Sequence, residues 1–292
     1  MDVPFLGSEA TAAGRLSPYE LRSRFAAVYP NVYLPKGMEI TAVTRAEAAW
    51  LWTRRQGVVA GQSAAALHGA EYVDASKPAE LIHDNRHPPR GIRTWSYDLA
   101  DDEIRTVGGI VVTTPARTAL DLACGYPMDP AIEAIDALAN ATELKPADVE
   151  LLAQRYPGRR GIRTARDVLA LVDGGAESPR ETRLRLLLIR AGYPPPTTQI
   201  PIFNEFGVLV AVADMGWEEL KIAADYEGSH HRTPRHFNTD LRRHDEATDL
   251  GWIDVRVSSL DTEAVILHRM AKAWQRRGQE PPTVKPRRKY GR

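Results

Sequence analysis

The sequence predicts a mixed α/β (α+β) chain in two domains, and three observations carry that prediction. Its 292 residues exceed what one compact core usually needs and supply material for two. Segments of period 2 alternate with segments of period 3.6 along the whole chain. From Glu177 onward the order is a capped helix, three strands, a helix, a strand and a closing helix. The expected boundaries are 1–174 for a mixed α/β and helical first domain, 175–276 for the second, and 277–292 for a tail.

Composition narrows the class. The 38 Lys and Arg balance 38 Asp and Glu, so a general electrostatic coating of nucleic acid is not expected, although a local basic surface is compatible with it. No apolar run approaches the roughly twenty residues that a membrane span needs, and Met1 to Gly14 lacks the pattern of a secretion signal. The single cysteine, Cys124, rules out an internal disulfide and fits a reducing cytoplasm; its apolar neighbours make it a packed thiol.

In the first domain, Ser17-Pro18-Tyr19-Glu20 reads as a capping box opening a helix through Ala27, followed by a strand to Leu34. Thr44 starts a helix carrying Ala48, Ala49 and Trp52. Val58-Val59 is a short strand, and Ser63 to His68 a short helix ended by Gly69. Strands follow at 79–83 and 92–97, then a hairpin around Gly108-Gly109. Thr114 caps a helix that begins with Pro115, and helices at 130–139, 146–155 and 161–172 complete this half.

The second domain opens with Ser178 as N-cap, Pro179 as first helical residue and Glu181 closing a capping box. Leu184, Leu187, Leu188 and Ala191 form the apolar stripe, and Gly192 ends the helix. Strands are expected at 198–203, 208–213 and 222–226, a helix at 237–250, a strand at 252–257 and a helix at 262–276. Between Lys221 and Glu227 the alternation puts Asp225 and Glu227 on one face, roughly 7 Å apart. An antiparallel partner ending in Asp214 brings a third carboxylate beside Asp225. Three such groups repel one another unless a cation joins them, and an all-oxygen set favours Mg2+ or Mn2+ over zinc. Acidic residues on the solvent face of an edge strand are the competing reading.

These motifs carry a resemblance. Glu177-Ser178-Pro179-Arg180-Glu181, Asp214-Met215-Gly216-Trp217, Asp225-Tyr226-Glu227-Gly228-Ser229-His230-His231, Asp240-Leu241-Arg242-Arg243 and Leu250-Gly251-Trp252 resemble, in order, the motifs of an actinobacteria-rich family related to the very-short-patch-repair (Vsr) endonucleases. That family belongs to the PD-(D/E)XK superfamily, so the resemblance implies a restriction-endonuclease-like core of order α-β-β-β-α-β. Relatives read Glu-Tyr-Asp-Gly where this chain has Asp225-Tyr226-Glu227-Gly228. The exchange moves a methylene from one ligand to the other, a change of the size to which a metal site is sensitive. The segments 61–69 and 112–121 are similar to AbiEi-type antitoxins and regulators, in which a winged helix-turn-helix precedes a second mixed domain. Little precedes Ser17, however, and a complete recognition helix is not evident.

The resemblance implies Asp214, Asp225, His231 and Glu181 as catalytic residues, with Asp214, Asp225, Glu227 and Glu181 holding Mg2+ or Mn2+. His231 would move the proton that a superfamily lysine, absent at position 227, would otherwise serve. Glu181 is explained equally by its capping box. Arg232, Arg235 and Arg243 follow the acidic strand closely and are the expected nucleic-acid contacts. The basic tail reads as disordered. Two functions follow: a metal-dependent DNA endonuclease acting on duplex DNA, or a non-catalytic, antitoxin-like DNA-binding regulator whose nuclease fold is degenerate. An RNA substrate and a cognate toxin or repair partner stay open.

Overall fold

A computed structural model describes residues 3–227 and 245–282. It is a mixed α/β chain that divides into two compact units, Met1–Gly174 and Gly175–Arg292. No helix among the described residues is long and apolar enough to cross a membrane.

The first unit begins with β1 (Phe5–Leu6), α1 (Gly7–Ala12), α2 (Pro18–Arg24), β2 (Phe25–Tyr29) and β3 (Val32–Pro35), whose strands pair in the order β1-β3-β2. Ser17 caps α2, and the Glu20 carboxylate accepts the Ser17 backbone N–H at 2.8 Å, so the capping box is complete. The helix stops at Arg24, short of Ala27. Phe25 and Tyr29 are buried, and strand pairing with β3 overrides the helical preference of the two alanines between them. Phe5 to Ala12, without a clear sequence pattern of its own, supplies the third strand and a helix.

Next comes α3 (Ala42–Trp52), and then a five-stranded mixed sheet ordered β6-β5-β4-β8-β7. Its strands are β4 (Val58–Val59), β5 (Ala79–Ile82), β6 (Ile92–Trp95), β7 (Ile104–Val107) and β8 (Ile110–Thr113), with α4 (Gly61–Leu67) inserted after β4. Four helices follow: α5 (Pro115–Gly125), α6 (Met128–Ala141), α7 (Pro146–Ala153) and α8 (Ile162–Leu169).

Both segments that resemble the antitoxin group turn out to hold buried carboxylates. Glu80 accepts the Gln62 N–H at 2.8 Å and the Tyr126 hydroxyl at 2.5 Å, while Ser63 Oγ accepts the Glu80 N–H. Gly61 is left-handed at φ 54, and a Cβ there would fall on the Glu80 carboxylate. Arg117, 1% exposed, pairs with Asp121 at 2.9 Å and with the equally buried Glu103. Such a pair is hard to break because each partner would leave an uncompensated buried charge.

The second unit is a four-stranded sheet flanked by helices. It runs α9 (Pro179–Arg190), β9 (Thr197–Phe203), β10 (Leu209–Trp217), β11 (Ile222–Glu227), α10 (of which residues 245–249 are described), β12 (Ile253–Ser258) and α11 (Glu263–Arg276). The strand order is β12-β11-β10-β9; β9, β10 and β11 form an antiparallel meander, and β12 lies parallel to β11. A parallel neighbour requires a crossover, here the connection that includes α10.

Apolar residues divide between the two faces. Leu184 and Leu188 of α9, Met215, Trp217, Ile222, Ala224, Val255, and Met270 and Trp274 of α11 make the larger core. Tyr193, Trp217 and Trp274 pack there with ring centroids 5.3–5.9 Å apart. On the other face Ile200, Ile202, Ala213 and Ala223 meet Ala247 and Trp252. Strand β10 changes faces at Asp214: Ala213 looks to the smaller core and Met215 to the larger. Its register opposite β9 sets Asp214 against Gln199, whose backbone is left-handed at φ 51.

Candidate active site

The β10–β11 pairing explains how the two aspartates come together. The antiparallel register sets Trp217 opposite Ile222, Gly216 opposite Ala223 and Met215 opposite Ala224. Gly216 permits this close approach, because a Cβ there would collide with the Ile222 carbonyl oxygen. One step further the side chains take over from the ladder. The Asp225 carboxylate accepts the Asp214 backbone N–H at 2.8 Å, and the Asp214 carboxylate accepts the Tyr226 N–H at 2.6 Å. Asp214 therefore lies inside β10 and not at its end. The two acids stitch the strands where these would otherwise part.

Each aspartate uses one oxygen in this way. The second oxygens, Asp214 Oδ1 and Asp225 Oδ2, have no hydrogen-bond partner among the described residues. Both residues line a cleft of about 220 Å³ whose apolar walls include Ile202, Ala223 and Trp252. Burial pushes the Asp214 carboxyl up to about 6; the Tyr226 N–H opposes this, while the charges of Glu181, Glu177 and Asp254 reinforce it. Burial likewise raises Asp225, to about 7, with Asp254 and Asp214 adding repulsion and the Asp214 N–H and Arg256 opposing.

The alternation predicted for β11 holds: Ala224 enters the larger core, whereas Ala223, Asp225 and Glu227 face the cleft. Glu227 has a partner, however. Arg256 Nη1 donates to it at 3.1 Å, and Arg256 Nε donates to Asp254 at 3.0 Å. Parallel pairing sets Asp254 beside Ala223 and Arg256 beside Asp225, so β12 adds a carboxylate and a guanidinium to the same cleft. Neither residue is among those expected from the sequence. The available signal was two charged residues, Asp254 and Arg256, at i and i+2 between apolar neighbours in a strand, which puts them on one face.

Glu181 is buried at the start of α9 with both oxygens engaged. Oε2 accepts the Glu177 N–H at 2.8 Å and Oε1 accepts the Ser178 hydroxyl at 2.7 Å. It acts on Asp214 through its charge. Among the described residues, no group of three or more His, Cys, Asp or Glu side chains is arranged to hold a metal ion. The expected four-carboxylate set of Asp214, Asp225, Glu227 and Glu181 thus does not assemble, because capping holds Glu181 and Arg256 holds Glu227. Asp214 and Asp225 remain without an ion-pair partner among the described residues. A hard divalent ion is commonly held by one or two carboxylates, with water and substrate oxygens completing its shell, so Asp214 and Asp225 fit Mg2+ or Mn2+ in type and number. His231, Arg232, Arg235 and Arg243 lie outside the described residues.

No family model matches the chain. It is 33% identical over 155 residues to "Uncharacterized protein MT2308" of Mycobacterium tuberculosis (strain CDC 1551 / Oshkosh). The same identity and length relate it to "Uncharacterized protein Rv2248" of Mycobacterium tuberculosis (strain ATCC 25618 / H37Rv). The match takes in 53% of this chain and 57% of each relative, so it spans little more than half the length of the proteins it matches.

Proposed function

We propose that the second unit is a divalent-metal-dependent DNA endonuclease domain of the PD-(D/E)XK, Vsr-like type. The observation that carries this reading is the Asp214–Asp225 pair: two half-buried carboxylates on adjacent strands, each with an available oxygen and each resisting ionisation. The order of helices and strands around the pair agrees with the core that the sequence motifs imply.

Asp214 and Asp225 would hold Mg2+ or Mn2+. Such an ion, when bound, polarises a phosphoryl oxygen and activates water for attack on phosphorus. Arg256 sits beside Asp225 and is 38% exposed. Its Nη2 has no partner among the described residues, so it is free to donate to a phosphate oxygen. In this reading Arg256 supplies the positive charge that the lysine-less β11 lacks, and His231 is the proton-transfer group. The first unit would dock the duplex. Its β1-α1-α2-β2-β3 order is that of a winged helix-turn-helix without the leading helix, and α2 exposes Tyr19 and Arg22.

Calorimetric titration with Mg2+ and Mn2+ tests the site. Wild type should bind one of these ions and Asp214→Ala should not, and plasmid nicking should disappear in Asp225→Ala. One observation favours a second reading, a DNA-binding regulator with a silent nuclease fold: Glu227 and Asp254 are already paired with Arg256. Absence of ion binding by wild type, with DNA binding retained, would select that reading.

A further inference from the structure

Beside the acidic cleft lies a second, basic feature. Strand β12 is an edge of the sheet, and between it and α11 runs a groove of about 470 Å³. Arg269, Lys272 and Arg276 line it from the helix, Asp254 and Arg256 from the strand. The spacing 269, 272, 276 puts the three helix cations on one face of α11, flanking the stripe of buried Ile266, Met270 and Trp274. Val255 and Val257 face the larger core, so Asp254 and Arg256 reach the groove around the strand edge and also line the acidic cleft. Four cations against one carboxylate make the groove positive, although the whole chain is neutral.

These cations are not all engaged. Arg269 pairs with Asp261 at 2.9 Å and donates to the Arg256 carbonyl oxygen at 2.9 Å. Lys272 and Arg276 are exposed and have no ion-pair partner among the described residues. Long cationic side chains on a helix, open to solvent and lining a groove that shares Asp254 and Arg256 with the acidic cleft, suit a nucleic-acid backbone in charge.

We infer that this groove, through Lys272 and Arg276 with Arg256 at its inner end, is the track on which the DNA phosphate backbone runs into the Asp214–Asp225 cleft. The inference rests on the DNA reading of that cleft. It assigns binding to α11, separate from the arginines that follow the acidic strand.

The test is duplex DNA binding by the full chain at several salt concentrations in EDTA, which needs no turnover. Each lost phosphate contact lowers the slope of log Kobs against log salt by about 0.9, so Lys272→Gln/Arg276→Gln should lower it by about 1.8. Affinity should fall on the order of tenfold. The pair Lys77→Gln/Lys145→Gln removes equal charge outside the β1-α1-α2-β2-β3 segment proposed to dock the duplex and should leave the slope unchanged. An unchanged slope in the groove variant, an equal change in the control pair, or no DNA binding by wild type overturns the inference. Nicking measured in parallel separates the two readings. A lowered slope without nicking by wild type upholds the groove and rejects the hydrolase; nicking with an unchanged slope does the reverse.

Discussion

Asp214 and Asp225 bind protons more tightly in the folded chain than in the unfolded one, where an aspartate sits near 3.8. A raised folded value means that the native state holds the extra protons between about pH 4 and 7, so stability falls as pH rises through that window. Asp225→Asn keeps the hydrogen-bond acceptor and removes the charge. It should flatten the decline, leaving the variant at pH 8 more stable than wild type by at least about 1.4 kcal/mol, the free energy of a tenfold change in proton affinity. Urea unfolding at pH 5 and pH 8 measures this; a decline of equal steepness in both proteins would deny that the carboxylates repel. Added Mg2+ should stabilise wild type more at pH 8 than at pH 5, because protons compete for the same oxygens. The alternation that set Asp225 and Glu227 on one face was readable from the chain. The Arg256 contact to Glu227 was not, because its partner lies 29 residues away on a parallel strand.

Strand pairing is what makes a site of these residues. Gly216 lets β10 and β11 close, and Gly216→Ala would push a methyl group into the Ile222 carbonyl. Opening the hairpin should cost about 1–3 kcal/mol, the usual range for overpacking a tight interior, and should separate Asp214 from Asp225. Denaturation and ion titration of the same variant would report both effects; full ion affinity in a destabilised variant would argue that the hairpin does not position the pair. In the first unit, α5 is held by Arg117. Arg117→Met leaves the buried Glu103 with only the Tyr156 hydroxyl and Arg155, and Asp121 with only Arg159, and should cost about 3 kcal/mol, the lower end for breaking a buried pair. The capping box at Ser17, the Ser178 cap and the proline at the start of α5 were legible because they are local, although the Glu181 carboxylate reaches the Glu177 N–H and not that of Ser178. The ends of α2 and β10 were not, because pairing with a neighbouring strand moved them.

Across the molecule, each unit owns its core, and the substitutions should act accordingly. Arg117→Met is expected to speed amide exchange among α5 to α8, and Gly216→Ala among β9 to β12, when hydrogen exchange is followed peptide by peptide. Spread of either effect through the other unit would mean that the two cores behave as one. The balanced charge of the chain likewise conceals a local asymmetry, the basic face of α11 beside the acidic cleft. By itself the sequence determined the mixed α/β class, most elements and the common face of Asp225 and Glu227, because caps, prolines and periodicity act over a few residues. Only the tertiary structure decided that Asp214 and Asp225 exchange hydrogen bonds with opposing backbones, that Glu227 answers to Arg256, and that Asp254 joins them. Those contacts depend on strand register and on a crossover between distant segments, which no local pattern encodes.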